Sequence, residues 1–210
     1  MNSKLILLAL IGSLFLGCAD KQKFGQSDEF WYKEIVKSIN QGNLDKADES
    51  FSSLEAEHIN SPLLETSILV LIQSHIQVEN YLIADYYMNR YNRLFGTKTS
   101  KPYIEYLRIK SKYMAFKQPK RDQKLLLDTL DLIENYISTY SESEYIPYIH
   151  TMQTNLQLAQ YSLNKDIIIL YTKLDKPKAI EFYKNNTDIN WVDEKNFKEP
   201  EPSFIRSLFE

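Results

Sequence analysis

The stretch from Tyr148 to Leu174 constrains the fold more than any other part of the sequence, because it contains neither glycine nor proline. Its apolar residues recur at spacings of three and four, at Ile149, Met152, Leu156, Ala159, Leu163, Ile167, Leu170 and Leu174. This period predicts one continuous helix, about 40 Å long at roughly 1.5 Å per residue. A helix of this length is typical of a spine against which other helices pack.

Glycine and proline divide the rest of the chain into shorter helical segments. The expected helices run from Asp28 to near Gly42, from Leu44 to Glu57, from Leu63 to Val78, from Tyr81 to Phe95, from the Ser100 to Pro102 segment to a point before Pro119, from Gln123 to Tyr140, and from Pro177 to about Lys184. Ser61 and Asp122 are predicted caps, and Gly96 is expected to end a helix in the left-handed conformation. With only five glycines in 210 residues, the sequence predicts an all-α fold.

The predicted helices come in pairs, and a short motif recurs at the turn within a pair. QGNLDKA at 41 to 47, VENYLIA at 78 to 84 and KLDKPKA at 173 to 179 each end in an alanine. Glycine frees such a turn, and alanine lets two helices approach closely, as in tetratricopeptide repeats. The sequence therefore predicts a right-handed α-solenoid of about four tetratricopeptide-like helix pairs.

The N-terminus combines a basic residue, an apolar run and the only cysteine of the chain. Lys4 precedes the run from Leu5 to Leu16, which is too short to span a membrane, and Gly17 and Cys18 follow it. This order is that of a secretory signal and resembles a bacterial lipobox, in which the cysteine is acylated. A buried thiol or half of a disulfide is the alternative. We expect lipid attachment at Cys18 and, from the Ala19 that follows it, an anchor on the periplasmic face of the outer membrane.

These features give four expected segments: a lipoprotein signal peptide at 1–17, a lipidated tether at 18–27, a tetratricopeptide-like repeat domain at 28–186 and an extended tail at 187–210. The tail carries four large aromatic residues, Trp191, Phe197, Phe204 and Phe209, which are expected to fold back on the last repeat or to contact a partner. A formal net charge of −3 argues against nucleic acid as a partner.

The repeat also predicts a peptide-binding groove, because the first helix of each tetratricopeptide pair lines the concave face of the array. With Ala47 and Ala84 at their repeat position, the residues that point into this groove are Tyr32, Val36, Ile39, Leu69, Gln73 and Ile76. This apolar floor with polar anchors suits extended peptides. The alternative for each residue is simple packing against the neighbouring helix.

Catalytic chemistry is not indicated by any motif. His58, His75 and His150 have no spacing suited to a metal site, and no nucleophile motif occurs. We therefore expect no catalytic residues, no metal and no cofactor apart from the acyl lipid on Cys18. An enzyme acting on the cell wall is a distant alternative.

After the lipobox and the QGN turn, the sequence contains RDQ (121 to 123), YSESEY (140 to 145), LAQY (158 to 161) and ILYTK (169 to 173). The order of these motifs resembles the BamD family, also called ComL, which comprises outer-membrane lipoproteins of the β-barrel assembly machinery. The resemblance covers roughly residues 14 to 184, and the family's fifth helical pair is missing, with the tail in its place.

The resemblance implies a non-catalytic scaffold that binds unfolded outer-membrane clients and works with other subunits of the assembly complex. It also implies that the C-terminal pairs dock onto the periplasmic part of the barrel-forming subunit BamA. By position, the expected interface residues are Lys173, Asp175, Lys178, Tyr183 and Lys184. The alternative is another helical-repeat lipoprotein of the periplasm, such as a secretin pilot or a cell-wall adaptor.

Overall fold

The structure is a computed structural model that describes residues 24–117 and 122–185. Throughout these ranges the regular structure is helical, with eight α-helices and no strand. The helices are α1 (Asp28–Asn40), α2 (Leu44–Glu57), α3 (Pro62–Gln77), α4 (Tyr81–Phe95), α5 (Lys101–Ala115), α6 (Gln123–Thr139), α7 (Ile146–Lys173) and α8 (Pro177–Asn185). The predicted all-α fold is confirmed. In the described part of the chain, none of the helices combines the length and the apolar character that a membrane span requires.

The long helix α7 begins two residues earlier than the glycine- and proline-free stretch suggested. Pro147 lies in its first turn, where the missing N–H of proline costs nothing because that N–H would have no partner within the helix. The other seven helices start and end within about two residues of the predicted positions, because glycine, proline and capping residues mark their ends.

Three hairpin turns share one backbone geometry. Gly42, Glu79 and Asp175 have positive φ angles of 73°, 64° and 51°. In each turn, the N–H of the positive-φ residue donates to the carbonyl three residues earlier. The N–H of the following residue donates to the carbonyl five residues before itself. In the first turn, this second bond runs from Asn43 N to Ser38 O at 2.9 Å. These two bonds form a Schellman motif, which satisfies the last carbonyls of the first helix. The recurrence agrees with the predicted tetratricopeptide-like repeat.

Gly96 ends α4 in a different way from the prediction. Its φ is −63° and its ψ is 102°, so it is extended and not left-handed. A Cβ atom at this position would lie 2.3 Å from the carbonyl oxygen of Asn92. Glycine is therefore required by a close approach of the main chain and not by the sign of φ.

The helices fall into two compact units, one up to Leu71 and the other from Ile72 onward. In the first unit α1 packs against α2. The buried residues of this unit include Trp31, Ile35, Ala47, Phe51, Leu54, Leu64 and Ile68. Ser27 caps α1 by accepting from Phe30 N, and Asn43 caps α2 by accepting from Lys46 N.

The second unit contains a core built by α5, α6 and α7. Its buried residues are Ile109, Leu126, Leu130, Ile133, Tyr136, Ile149, Met152, Leu156 and Leu163. On the other side of α5, Arg108 joins that helix to α4 by donating to Asp85 and to Asn89, and it also pairs with Glu105 on its own helix. The second unit is thus held by an apolar core and by a charged cluster.

Candidate functional site

The first unit carries three of the predicted groove residues on one face of α1. Tyr32, Val36 and Ile39 are all half-buried, so each keeps part of its side chain at the surface. Tyr32 and Val36, one helical turn apart, share an open pocket of about 480 Å³. Among the described residues, its lining consists of Tyr32, Lys33, Val36, Lys37, Asn40 and Gln41. This pocket combines an apolar floor with lysine and amide groups at its rim.

The other three predicted groove residues lie along α3 and differ in exposure. Leu69, in the first unit, is half-buried, and Gln73, in the second, is exposed. Ile76 is only 5% exposed, so it belongs to the core and has little surface to offer a ligand. Gln73 donates a hydrogen bond from Nε2 to the hydroxyl of Tyr103 on α5, at 2.6 Å. The predicted polar anchor is therefore connected to an aromatic residue that the sequence analysis did not select.

Tyr103 is one of four tyrosines that form a stacked group in the second unit, here called the tyrosine cluster: Tyr103, Tyr106, Tyr145 and Tyr148. The Tyr106 and Tyr145 rings stack with centroids 4.8 Å apart and planes 14° from parallel. Tyr103 lies 5.5 Å from Tyr145, and Tyr148 lies 6.0 Å from Tyr106. Tyr148 is 60% exposed and the other three are half-buried, so the cluster presents aromatic faces and phenol groups at the surface.

Tyr136 of α6 contacts the two chain segments that carry the cluster. Its hydroxyl donates to the carbonyl of Pro102, next to Tyr103, at 3.1 Å. The same hydroxyl contacts Ser143 Oγ, two residues before Tyr145, at 2.8 Å. One buried phenol therefore connects the starts of α5 and α7.

Two hydroxyls of the cluster, those of Tyr106 and Tyr145, remain protonated at neutral pH. Burial raises the pKa of Tyr106, and burial together with the neighbouring Glu144 carboxylate raises the pKa of Tyr145 to about 12. These two phenols can therefore donate hydrogen bonds as well as accept them. Farther along α5 and α7, Asn155 Nδ2 donates to Tyr113 Oη at 2.9 Å.

A repeated tyrosine spacing in the sequence is a local signal for the cluster. Tyr103 and Tyr106 stand in YIEY, and Tyr145 and Tyr148 stand in YIPY, each at the first turn of a helix. Residues three apart lie on the same helix face. The repeated Tyr-Ile-x-Tyr spacing would have predicted two matching aromatic faces, but not that they stack on one another.

The predicted partner-binding residues lie on or beside the last hairpin, α7 with α8. Lys173, Asp175, Lys178 and Lys184 are exposed, and Tyr183 is half-buried with its ring stacked on Tyr171 at 5.9 Å. A pocket of about 490 Å³ lies at the turn, lined by Tyr171, Leu174, Lys176, Pro177, Lys178 and Ala179. Asp175 occupies the left-handed position of the turn, which is a structural role that the sequence analysis did not foresee.

The same hairpin exposes several large apolar side chains. Ile169, Leu170, Leu174 and Phe182 are each more than half exposed. None of the side chains of α8 is buried. The last hairpin thus has an apolar surface next to exposed lysines, a composition that suits contact with another protein.

Cys18 and the aromatic residues of the tail lie outside the described residues. Within residues 24–117 and 122–185, no group of three histidine, cysteine, aspartate or glutamate side chains is placed to bind a metal ion.

Two comparisons with known proteins identify relatives of the chain. The family model described as YfiO, outer membrane lipoprotein, matches residues 25–181. The outer membrane protein assembly factor BamD of Helicobacter pylori is 36% identical over 190 residues, an alignment that covers 89% of this chain and 84% of the relative.

Proposed function

The chain belongs to the YfiO or BamD family of outer-membrane lipoproteins, and from this premise we propose that it is a non-catalytic subunit of the machinery that assembles outer-membrane β-barrel proteins. The similarity to the Helicobacter pylori protein, which is named as an outer membrane protein assembly factor, supports this proposal. The chain contributes binding surfaces and makes or breaks no covalent bond.

The anchor in this proposal is an acyl lipid on Cys18, which holds the repeats at the periplasmic face of the outer membrane. The signal-like order of residues 1–17, which ends directly before the only cysteine, supports this assignment. No other prosthetic group is part of the proposal.

Client binding is carried by one observation, the tyrosine cluster beside Gln73. An unfolded outer-membrane strand alternates apolar and polar residues and carries aromatic residues near its ends. The exposed ring of Tyr148 offers a surface for such an aromatic side chain, since offset and edge-to-face ring pairs are favourable. The phenols and Gln73 then bind main-chain groups of the strand. In the first unit, Tyr32, Val36, Ile39 and Leu69 of the predicted groove form a client-binding surface of their own.

The last hairpin is the docking surface for BamA in this proposal. Leu174 and Phe182 supply the apolar contact, and Lys173, Lys178 and Lys184 supply positive charge around it. Apolar and aromatic residues at the centre of an interface usually provide most of the binding energy, with charges at the rim.

Depletion and affinity purification test the function as a whole. Loss of a barrel-assembly subunit lowers many unrelated outer-membrane barrels together, and the purified lipoprotein brings BamA with it in stoichiometric yield. If depletion removes a single secretin and no BamA is recovered, the chain is a secretin pilot and the proposal is wrong.

Two sets of variants test the surfaces separately. Tyr148→Ser and Tyr103→Ser should each weaken binding of a peptide from the last strand of an outer-membrane barrel by roughly tenfold, as for hot-spot residues. Tyr86→Ser, at a 52% exposed tyrosine of α4, is the matched control and should bind normally. Equal binding by all three variants would refute the role of the cluster.

Leu174→Ser and Phe182→Ser should reduce recovery of BamA. The control is Leu82→Ser, at an apolar residue of α4 that is 85% exposed. Recovery that falls equally in the control and the test variants would exclude the last hairpin as the docking surface.

A further inference from the structure

A short segment before α1 is fastened to the far end of α2. This segment, residues 24–27, is here called the strap. The N–H of Gly25 donates to Glu57 Oε1 at 3.1 Å. The indole of Trp31 donates to the other oxygen of the same carboxylate at 2.8 Å, so Glu57 joins the strap, α1 and α2 at one point.

Two further contacts continue this attachment into the turn between α2 and α3. The ring nitrogen Nε2 of His58 lies 2.6 Å from the carbonyl oxygen of Gln26, and the hydroxyl of Ser61 donates to Asp28 Oδ2 at 2.6 Å. The hydrogen bonds from Trp31 and Ser61 lower the pKa values of Glu57 and Asp28, so both carboxylates are charged at neutral pH. Three contacts between residues 25–28 and residues 57–61 thus fix the strap.

The fastened end of the first unit carries two exposed apolar side chains. Phe24, directly before Gly25, is 70% exposed, and Ile59, directly after His58, is 53% exposed. Because Gly25 binds Glu57 and Gln26 contacts His58, these two side chains flank the same set of hydrogen bonds. They form a small apolar projection at the point where the chain leaves the first hairpin toward its N-terminus.

The length of chain between Cys18 and Phe24 limits how far this projection can be from the membrane. Six residues span at most about 20 Å when fully extended. The sequence in this interval includes Lys21 and Lys23, which attract anionic headgroups. Large apolar side chains such as phenylalanine, on segments that lie at a membrane surface, insert at the boundary between headgroups and acyl chains.

We propose that Phe24 and Ile59 contact the headgroup region of a lipid bilayer and fix the orientation of the first helix hairpin on the membrane. This inference rests on the proposed lipid attachment at Cys18. The hydrogen bonds of the strap give Phe24 a fixed position beside the folded hairpin. Without these bonds, Phe24 would lie in a free linker and could not fix the orientation of the hairpin.

Nitroxide labelling of the mature lipidated chain in vesicles of phosphatidylethanolamine and phosphatidylglycerol tests this contact. Cys18 is the only native cysteine, and its acylation leaves an introduced thiol as the single labelling site. Labels are placed at Ile59→Cys and, as a control, at Leu82→Cys, which replaces another exposed apolar residue. The ratio of collisions with oxygen to collisions with a water-soluble nickel chelate reports contact with lipid.

The ratio should be several-fold higher at position 59 than at position 82, and adding Phe24→Ser to Ile59→Cys should lower it toward the value at 82. Equal, water-like ratios at both positions in chains that float with the vesicles would overturn the contact while leaving the lipid anchor intact. Chains that fail to float would overturn the anchor and the contact together. Circular dichroism confirms that each variant is folded.

Discussion

The hydroxyl of Tyr136 donates to the main-chain carbonyl of Pro102, 3.1 Å away and 34 positions earlier in the chain. Pro102 lies in the first turn of α5, so this carbonyl takes part in starting that helix. Because Tyr136 also contacts Ser143 at 2.8 Å, it determines how the first turn of α5 and the segment before α7 are spaced. The tyrosine cluster rests on this spacing.

Tyr136→Phe should lower the free energy of unfolding by about 1 to 2 kcal/mol. The ring stays in the core, but the Pro102 carbonyl and the Ser143 hydroxyl each lose one hydrogen bond to a buried phenol, while Ser143 Oγ still accepts from Tyr145 N. Urea denaturation measures the loss. Tyr148→Phe, at a 60% exposed position, is the control and should change stability by less than about 0.5 kcal/mol.

Gly96→Ala should destabilise the protein by about 1 to 3 kcal/mol, because its new Cβ would meet the Asn92 carbonyl oxygen at 2.3 Å and the end of α4 would have to shift. Thr99→Ala, at an exposed position of the same loop, should have little effect in urea denaturation. A neutral Gly96→Ala variant would mean that the helix end yields easily and that glycine is not required there.

The shared hairpin turn predicts opposite effects at two of its positions. Gly42→Ala should cost about 1 kcal/mol, because a residue with a Cβ is strained at a φ of 73°. Asp175→Gly should stabilise the protein by about 0.5 kcal/mol, since glycine relieves the same strain but makes the unfolded chain more flexible. Urea denaturation measures the change in the free energy of unfolding for both variants. If both variants were stabilised, or both destabilised, the assignment of a common left-handed position would be wrong.

The carboxylate of Glu57 should make the first hairpin sensitive to acid. The Trp31 indole lowers the pKa of Glu57 in the folded state below its ordinary value of 4.5. A lowered folded-state pKa gives stability that is present above the unfolded-state value and lost as the pH falls through the folded-state value. The melting temperatures of the wild-type protein and Glu57→Leu should therefore differ at pH 7 and converge below pH 4.5.

Glu49→Gln, at an exposed position of the same helix, provides the control for this prediction. Its melting temperature should follow that of the wild-type protein throughout the titration. A difference between wild type and Glu57→Leu that stays constant from pH 7 to acid would show that the carboxylate charge does not stabilise the strap.

The limits of the helices could be predicted from the sequence because their signals are local. Pro177 and Ser61 act within one turn of their own position, and the chain nearby decides whether a helix starts there. The left-handed turns were predictable only at Gly42. Glu79 and Asp175 occupy the same position without being glycine, and only the hydrogen bonds of the folded turn identify them.

The candidate site was harder to predict because its contacts join distant parts of the chain. Tyr106 and Tyr145 are far apart in sequence, and no local rule indicates that their rings stack. Ile76 was placed in the groove by its repeat position, but a helix face that lines a groove borders the face that packs inward. A small difference in the rotation of α3 about its own axis is enough to place Ile76 in the core.

Among the helices that the structure describes, α8 is the one that buries none of its residues, of which there are nine. In arrays of repeats each helix is stabilised by packing against its neighbours, and α8 packs against α7 without fully burying any side chain. Its amide hydrogens should therefore exchange with solvent sooner than those of α7. A protein that bound this hairpin would slow that exchange, so that the free energy of binding would add directly to the stability of the folded hairpin.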